Sequence, residues 1–358
     1  MSLQPLKPWR SFADQLQQLQ TRGLQVDNTA SALDYLERLG YYRLSGYWYP
    51  LRHIDTTASQ AQQRPVRLDT FVADSHFEDV VRLYVFDKKL RLLALDALER
   101  IEMAVRVDIA HLLGQRDPIA HINPACLHGN FTKKLIQHGK NKGKTAHQVW
   151  LATYQSNLDR AKKEPFVAHH LQQYGTLPIW VAVEVWDFGL LSKLFAGMKY
   201  ADQQKIAALY GAADGKTFAQ WLRSLNFIRN VSAHHSRLWN INVVERSRVP
   251  QGWPNNNRPF LYFCLMQQFL SVICLNSSWG QRLIKLLEED FPDMPHQQIT
   301  RDDFGTFQDW AEWTLWQTAR PSNQRWHLTN RRDRKSRGRN ENRRVHRVQG
   351  RRSYCSRK

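Results

Sequence analysis

Between His76 and Leu113 apolar residues recur at Phe77, Val80, Val81, Tyr84, Leu90, Leu93, Ala97, Leu98, Ile101, Val105 and Ile109. Steps of three and four put them on one face of a helix, whereas a half-buried strand requires alternation. At 1.5 Å per residue the segment runs about 57 Å. Its apolar stripe needs partners along that whole length, so the rest of the chain has to be built around it.

The surrounding segments supply helices. Ser11 to Gln20 reads as a first helix, with Ser11 and Asp14 at cap positions. Asp27 to Leu39 reads as a second, closed by Gly40. Tyr41, Tyr42, Tyr47, Trp48 and Tyr49 form an aromatic cluster ending at Pro50, and the polar residues 53–67 read as an irregular excursion. Gly114 is a plausible stop for the long helix, and 115–145 reads as loop or short helices. Further helices are expected over 147–162, 165–174, 179–196, 202–210, 217–236, 259–278, 280–290 and 303–318, with a loop over 245–258. Thr217 to Gln220 has the form of a capping box. No hairpin signal appears. The expected class is all-α: an N-terminal helical and aromatic segment over 1–75, a helical bundle over 76–319, and a tail over 320–358.

Charge is concentrated in that tail. From Arg320 to Lys358 there are 13 Arg and 2 Lys against Asp333 and Glu341, a net +13 within a chain total of +19, which leaves +6 for residues 1–319. So few apolar residues cannot build a core, and the tail is expected to be disordered alone. Its composition fits a nonspecific polycation and an RNA-binding arm equally well. A smaller basic run holds Lys140, Lys142 and Lys144, which either form a solvated loop or contact nucleic acid.

Four widely scattered cysteines include no CxxC pair, so neither a zinc ribbon nor a disulfide framework is supported, and a cytoplasmic setting fits. No N-terminal signal peptide is expected. The most apolar run, Phe260 to Leu275, is interrupted by Gln267 and Gln268 and is too short to span a bilayer, so it reads as a core helix.

The chemistry-bearing stretch is Arg229-Asn230-Val231-Ser232-Ala233-His234-His235. Arginine binds phosphate through a planar fork of donors, and histidine moves protons near neutral pH. Together they suit phosphodiester chemistry that requires neither a metal nor a cofactor. On an ideal helix Asn230 and His234 share a face, but Arg229 and His234 diverge by about 140°. Either Arg229 uses its reach, or the helix is distorted, or two motifs face each other. Arg106 to His111 repeats the arginine–histidine spacing at the end of the long helix, and Glu102 and Arg106 stand at ion-pair spacing. Alternatively, the heptapeptide is a buried polar network that fixes helix packing.

RNVSAHHSRLWN at 229–240 resembles the signature of the Abi family, the AbiD/AbiF-type abortive-infection proteins, within the wider HEPN group. LERLGYYRLSGYWYPLR at 36–52, LERIEMAVRVDIAHLLG at 98–114 and LPIWVAVEVWDFGLLSKLF at 177–195 resemble other blocks of that family in the same order. The likeness spans roughly residues 8–290 and excludes the tail. It implies a helical, HEPN-like, RNA-directed phage-defence protein that cleaves RNA without metal through a site assembled from two motifs. Arg229, Asn230 and His234 match the motif, with His235 adjoining. Glu102, Arg106 and His111 are the expected supporting or second motif, and Arg237 joins the three lysines as an expected RNA contact. A small structured noncoding RNA and a second copy of the chain are the implied partners. The competing expectation is a module that holds such an RNA without turnover.

Overall fold

A helix from Phe77 to Gly114 runs through the protein as the sequence predicts. In a computed structural model, residues 6–317 are described apart from 244–246, 255 and 295–297. The Arg-rich tail lies outside the described residues. Residues Met1–Ala319 form one compact unit.

In chain order the described helices are α1 (Phe12–Thr21), α2 (Thr29–Leu39), α3 (Tyr41–Trp48), α4 (Thr56–Gln62), α5 (Phe77–Gly114), α6 (Gly129–Thr132), α7 (Ala146–Ala161), α8 (Pro165–Tyr174), α9 (Ile179–Ala182), α10 (Phe188–Gly197), α11 (Tyr200–Leu209), α12 (Gly215–Ala233), α13 (Pro259–Ile273), α14 (Trp279–Glu288) and α15 (Thr314–Gln317). The chain is therefore mostly α. Helix α5 packs against α3, α9, α10, α11, α12, α13 and α14. That ring explains why its buried residues, from Phe77 and Leu83 through Leu90, Ala94 and Ile101 to Leu113, wrap more than one face. Helix α13 is buried on all sides. Its glutamines are absorbed internally, Gln268 Nε2 donating to the Tyr210 carbonyl at 3.0 Å and Gln267 Nε2 to that of Leu315 at 3.4 Å. Among the described residues no helix is long and apolar enough to cross a membrane.

The structure corrects four readings. Residues expected to be irregular include an antiparallel pair, β1 (Arg52–Ile54) with β2 (Arg67–Phe71), in register Arg52↔Phe71 and Ile54↔Arg67. Both strands are largely exposed, so they lack the alternating burial that marks a strand in sequence. The helix expected over 179–196 is broken, with a 3-10 turn at Val183–Val185 and extended backbone at Trp186. Asp187 then caps α10 by accepting the Leu190 amide at 2.7 Å. Helix α12 is capped by Asp214, which accepts the Thr217 amide at 2.6 Å, and it stops at Ala233, three residues short of the expected end. The segment expected as one helix over 303–318 is, in its described residues, turns and short 3-10 stretches (Arg301–Asp303 and Trp310–Glu312), with only α15 α-helical. Helix α5 does end at Gly114 as expected, although through helical and not left-handed backbone; a Cβ there would lie 3.2 Å from Ile179 and 3.3 Å from Trp180, so the glycine permits close approach of α9.

The break at Trp186 serves a buried aromatic box. Trp186 and Trp150 meet edge to face at 5.5 Å, and both flank the fully buried His121, as does Tyr154 at 5.3 Å. Neither ring nitrogen of His121 has a hydrogen-bond partner among the described residues. Burial, reinforced by His147, pushes its pKa down from 6.5 to about 4. The folded protein thus binds fewer protons than the unfolded chain between these values. Its contribution is complete above pH 6.5 and is lost as pH falls toward 4, about 3 kcal/mol in all. Thermal melts across this window should show a decline that His121→Phe flattens. Equal pH slopes for wild type and variant would contradict this account.

Candidate functional site

The heptapeptide spans the end of α12. Arg229 and Asn230 lie on its last helical turns, half-buried, and Arg229 Nη1 donates to Asn230 Oδ1 at 3.3 Å. His234 is the C-cap residue, its amide donating to the Asn230 carbonyl at 3.0 Å. His234 thus keeps the helical bond to Asn230, and the chain departs from the helix only after it, at His235.

What turns the chain is a Schellman closure. The Ser236 amide reaches the Val231 carbonyl at 2.9 Å and the His235 amide reaches that of Ser232 at 3.2 Å. Glycine usually occupies the left-handed position of this motif; here His235 does, at φ 58°. A side chain in that region costs about 1 kcal/mol. His235→Gly is therefore expected to keep or raise the melting temperature. A clear drop would mean that the imidazole itself braces the loop. The result is a tight turn that presents His234 and His235 in solvent at a helix end.

Three anchors fix this turn. Arg43 Nη1, on α3, donates to the His235 carbonyl at 2.5 Å. The Arg237 guanidinium donates to the Gly46 carbonyl, also on α3. Burial lowers the pKa of Arg237, against the pull of Tyr47 and Asp87, so this expected RNA contact faces inward and braces the turn. The third anchor is Asp87 on α5, a fully buried carboxylate that accepts the Leu238 amide at 3.0 Å, the Trp239 amide at 2.8 Å and the Tyr47 hydroxyl at 2.7 Å. It is ion-paired with Arg91, whose side chain is 4% exposed. Burial pushes the Asp87 carboxyl up, while Arg91, Tyr47 and the two amides pull it back.

Helix α5 also brings the expected second motif to Arg229. Glu102, Arg106 and Arg229 line one cavity of about 310 Å³ together with Leu95, Leu98, Glu99 and Met103. Arg106 bonds both the Glu102 carboxylate and the Trp186 carbonyl, holding the break before α10 against α5. Burial pushes the Glu102 carboxyl up, opposed by the charges of Arg106 and Arg229. The two guanidiniums are matched in number by the carboxylates of Glu99 and Glu102 on the same lining, and Arg106 is committed to Glu102. His111 does not join them: it is exposed, with Nε2 at 3.1 Å from Gln115 Nε2, and it is not among the residues lining the cavity.

Lys140, Lys142 and Lys144 are exposed on a loop tied by Ile136 N to Lys144 O and Gly143 N to Ile136 O, both 2.9 Å. Lys133 and Lys134 extend the patch, and no Asp or Glu occurs from Pro118 to Leu158.

The sequence reading missed Asp87, Arg91 and Arg43. A signal existed for the first two, an acid and a base four apart inside the apolar stripe of α5. It missed a further cluster too. Asp27, His76 and Glu78 place potential metal-ligating atoms within 4.8 Å of one another, with His76 Nδ1 3.1 Å from Asp27 across 49 residues of chain. His76 begins α5 and lies about 39 Å along the helix axis from Glu102, so the cluster is separate from the motif.

A family model described as Abi-like protein matches residues 34–240, from within α2 to the end of the turn held by Asp87. No curated protein and no solved structure matches the chain. The match covers more than half of the 358 residues and contains Glu102, Arg106 and Arg229 to His235, and the chain belongs to the Abi-like protein family.

Proposed function

We propose that the chain is an abortive-infection protein of the AbiD/AbiF type that acts in phage defence as a metal-independent, HEPN-type endoribonuclease. The observation that carries this reading is the joint placement of an Arg229–Glu102–Arg106 cavity and an exposed His234–His235 turn at one end of α12. Arg229 neutralises a non-bridging phosphate oxygen. The ribose 2′-oxygen attacks phosphorus, its proton passing to a base; the bond to the 5′-oxygen breaks, and that oxygen takes a proton from an acid. His234 is one of this pair. Asn230 positions the phosphate or His234, and Glu102 and Arg106 position Arg229. Because the 2′-hydroxyl is the nucleophile, the activity is confined to RNA.

The remaining acid or base comes from His235 or from a second copy of the chain. Exposed Met103 and Val107 flank Glu102 and Arg106 on α5, and Phe227 is exposed on α12, an apolar setting suited to such pairing. The lysine loop supports a second reading, retention of a structured noncoding RNA without turnover, since its charge favours phosphate contact of any sequence. The test is incubation of the purified protein with single-stranded RNA in EDTA, followed by end-group analysis. Products ending in 2′,3′-cyclic phosphate and 5′-hydroxyl are expected. Salt-sensitive copurification of one defined RNA, with no products, selects the second reading instead.

A further inference from the structure

The structure separates the aromatic cluster after Gly40 into packed and unpacked members. Tyr47 is buried on Asp87, and Trp48 is buried with Tyr41 edge to face against it at 4.9 Å. Tyr49 has Arg52 and Arg67 over its ring at 6.0 and 5.9 Å. Tyr42 differs: it is 91% exposed, and its ring has no aromatic or cationic partner among the described residues.

Isolated exposed aromatics are ordinary, so exposure alone carries little. Position carries more. Arg43, the next residue, is bonded to the His235 carbonyl, and one turn later Gly46 is bonded to Arg237. Helix α3 and the turn after α12 therefore advance side by side in the same direction. Tyr42 directly precedes Arg43 on α3, so it stands one residue from this contact with the turn, about 100° further round the helix on a solvent-facing side. Arg43 spends one donor on the turn and, being exposed, keeps the rest of its guanidinium for a phosphate.

We infer that Tyr42 is a base-stacking platform, receiving the base of an unpaired nucleotide that flanks the phosphate held at Arg229 and His234. The inference rests on the RNA reading of that site and deepens it to single-stranded RNA, because a base inside a duplex has no free face to offer.

The test measures binding of a short single-stranded RNA carrying 2-aminopurine, with every protein also bearing His234→Ala so that the RNA stays intact. Stacking quenches the probe. Tyr42→Ala is expected to weaken binding about 5- to 100-fold and to abolish quenching, whereas Tyr42→Phe and Tyr42→Trp retain both. A solvent-exposed side chain leaves the thermal melt unchanged on removal, which separates this effect from unfolding. Equal binding and quenching by the parent and Tyr42→Ala would overturn the platform while leaving the RNA reading intact. Failure of both the parent and the wild type to bind any RNA would overturn both.

Discussion

His234→Ala is expected to reduce RNA cleavage by about 10³-fold while leaving the melting temperature unchanged. The rate effect follows from removing one partner of an acid–base pair, a loss typically between about 10² and 10⁴. The unchanged stability follows from the structure. The hydrogen bond that closes α12 at this residue is made by the His234 backbone amide, and its side chain is exposed. Alanine keeps that amide and removes nothing packed. Arg229→Ala should fall in the same range through loss of charge stabilisation at phosphorus. That variant also withdraws one cation from beside Glu102, so its stability can change where that of His234→Ala does not. Single-turnover cleavage of one RNA by both variants, alongside thermal melts, checks these effects. Undiminished cleavage by His234→Ala would end the mechanism.

The largest stability effect is expected at Asp87. Asp87→Ala leaves the Arg91 guanidinium buried without its counter-ion and strips the Leu238 and Trp239 amides of their acceptor. Breaking a buried ion pair from one side costs about 3–5 kcal/mol, on the order of 10 °C in a domain of this size. Cleavage should fall as well, because the anchored residues directly follow the turn that carries His234 and His235. The double variant Asp87→Ala/Arg91→Met should recover part of the stability, since the stranded charge is gone, yet recover little activity, since the amides remain unheld. A double variant as unstable as Asp87→Ala would show that the amide contacts, and not the unpaired charge, dominate. Thermal melts and cleavage rates of the wild type, both single variants and the double variant form the complete cycle.

Much of the fold was legible beforehand. The period of α5, the caps of α1, the stop of α2 at Gly40 and the apolar density of α13 are local properties, written as residue spacings within one element. Misreadings fell where a distant contact overrode local preference. Trp186 leaves helical geometry because its ring enters the box around His121 while Arg106 takes its carbonyl. Helix α12 ends early because the Schellman closure, tied to α3 through Arg43, turns the chain at His235. The β1–β2 pair escaped notice because exposed polar strands bury too little to leave a pattern.

The candidate site divides along the same line. By itself the sequence determined that this chain is a helical protein organised on one long helix, and that an arginine and two histidines suited to phosphate chemistry stand within one heptapeptide. Only the tertiary structure decided that Glu102 and Arg106 face Arg229, that Asp87 holds the turn from 151 residues away, that Arg237 points inward and that Tyr42 points to solvent. The reason is physical. Periodicity encodes which side of an element avoids water, a property each segment carries alone. Which polar groups meet depends on how separate elements pack, and no single segment contains that geometry.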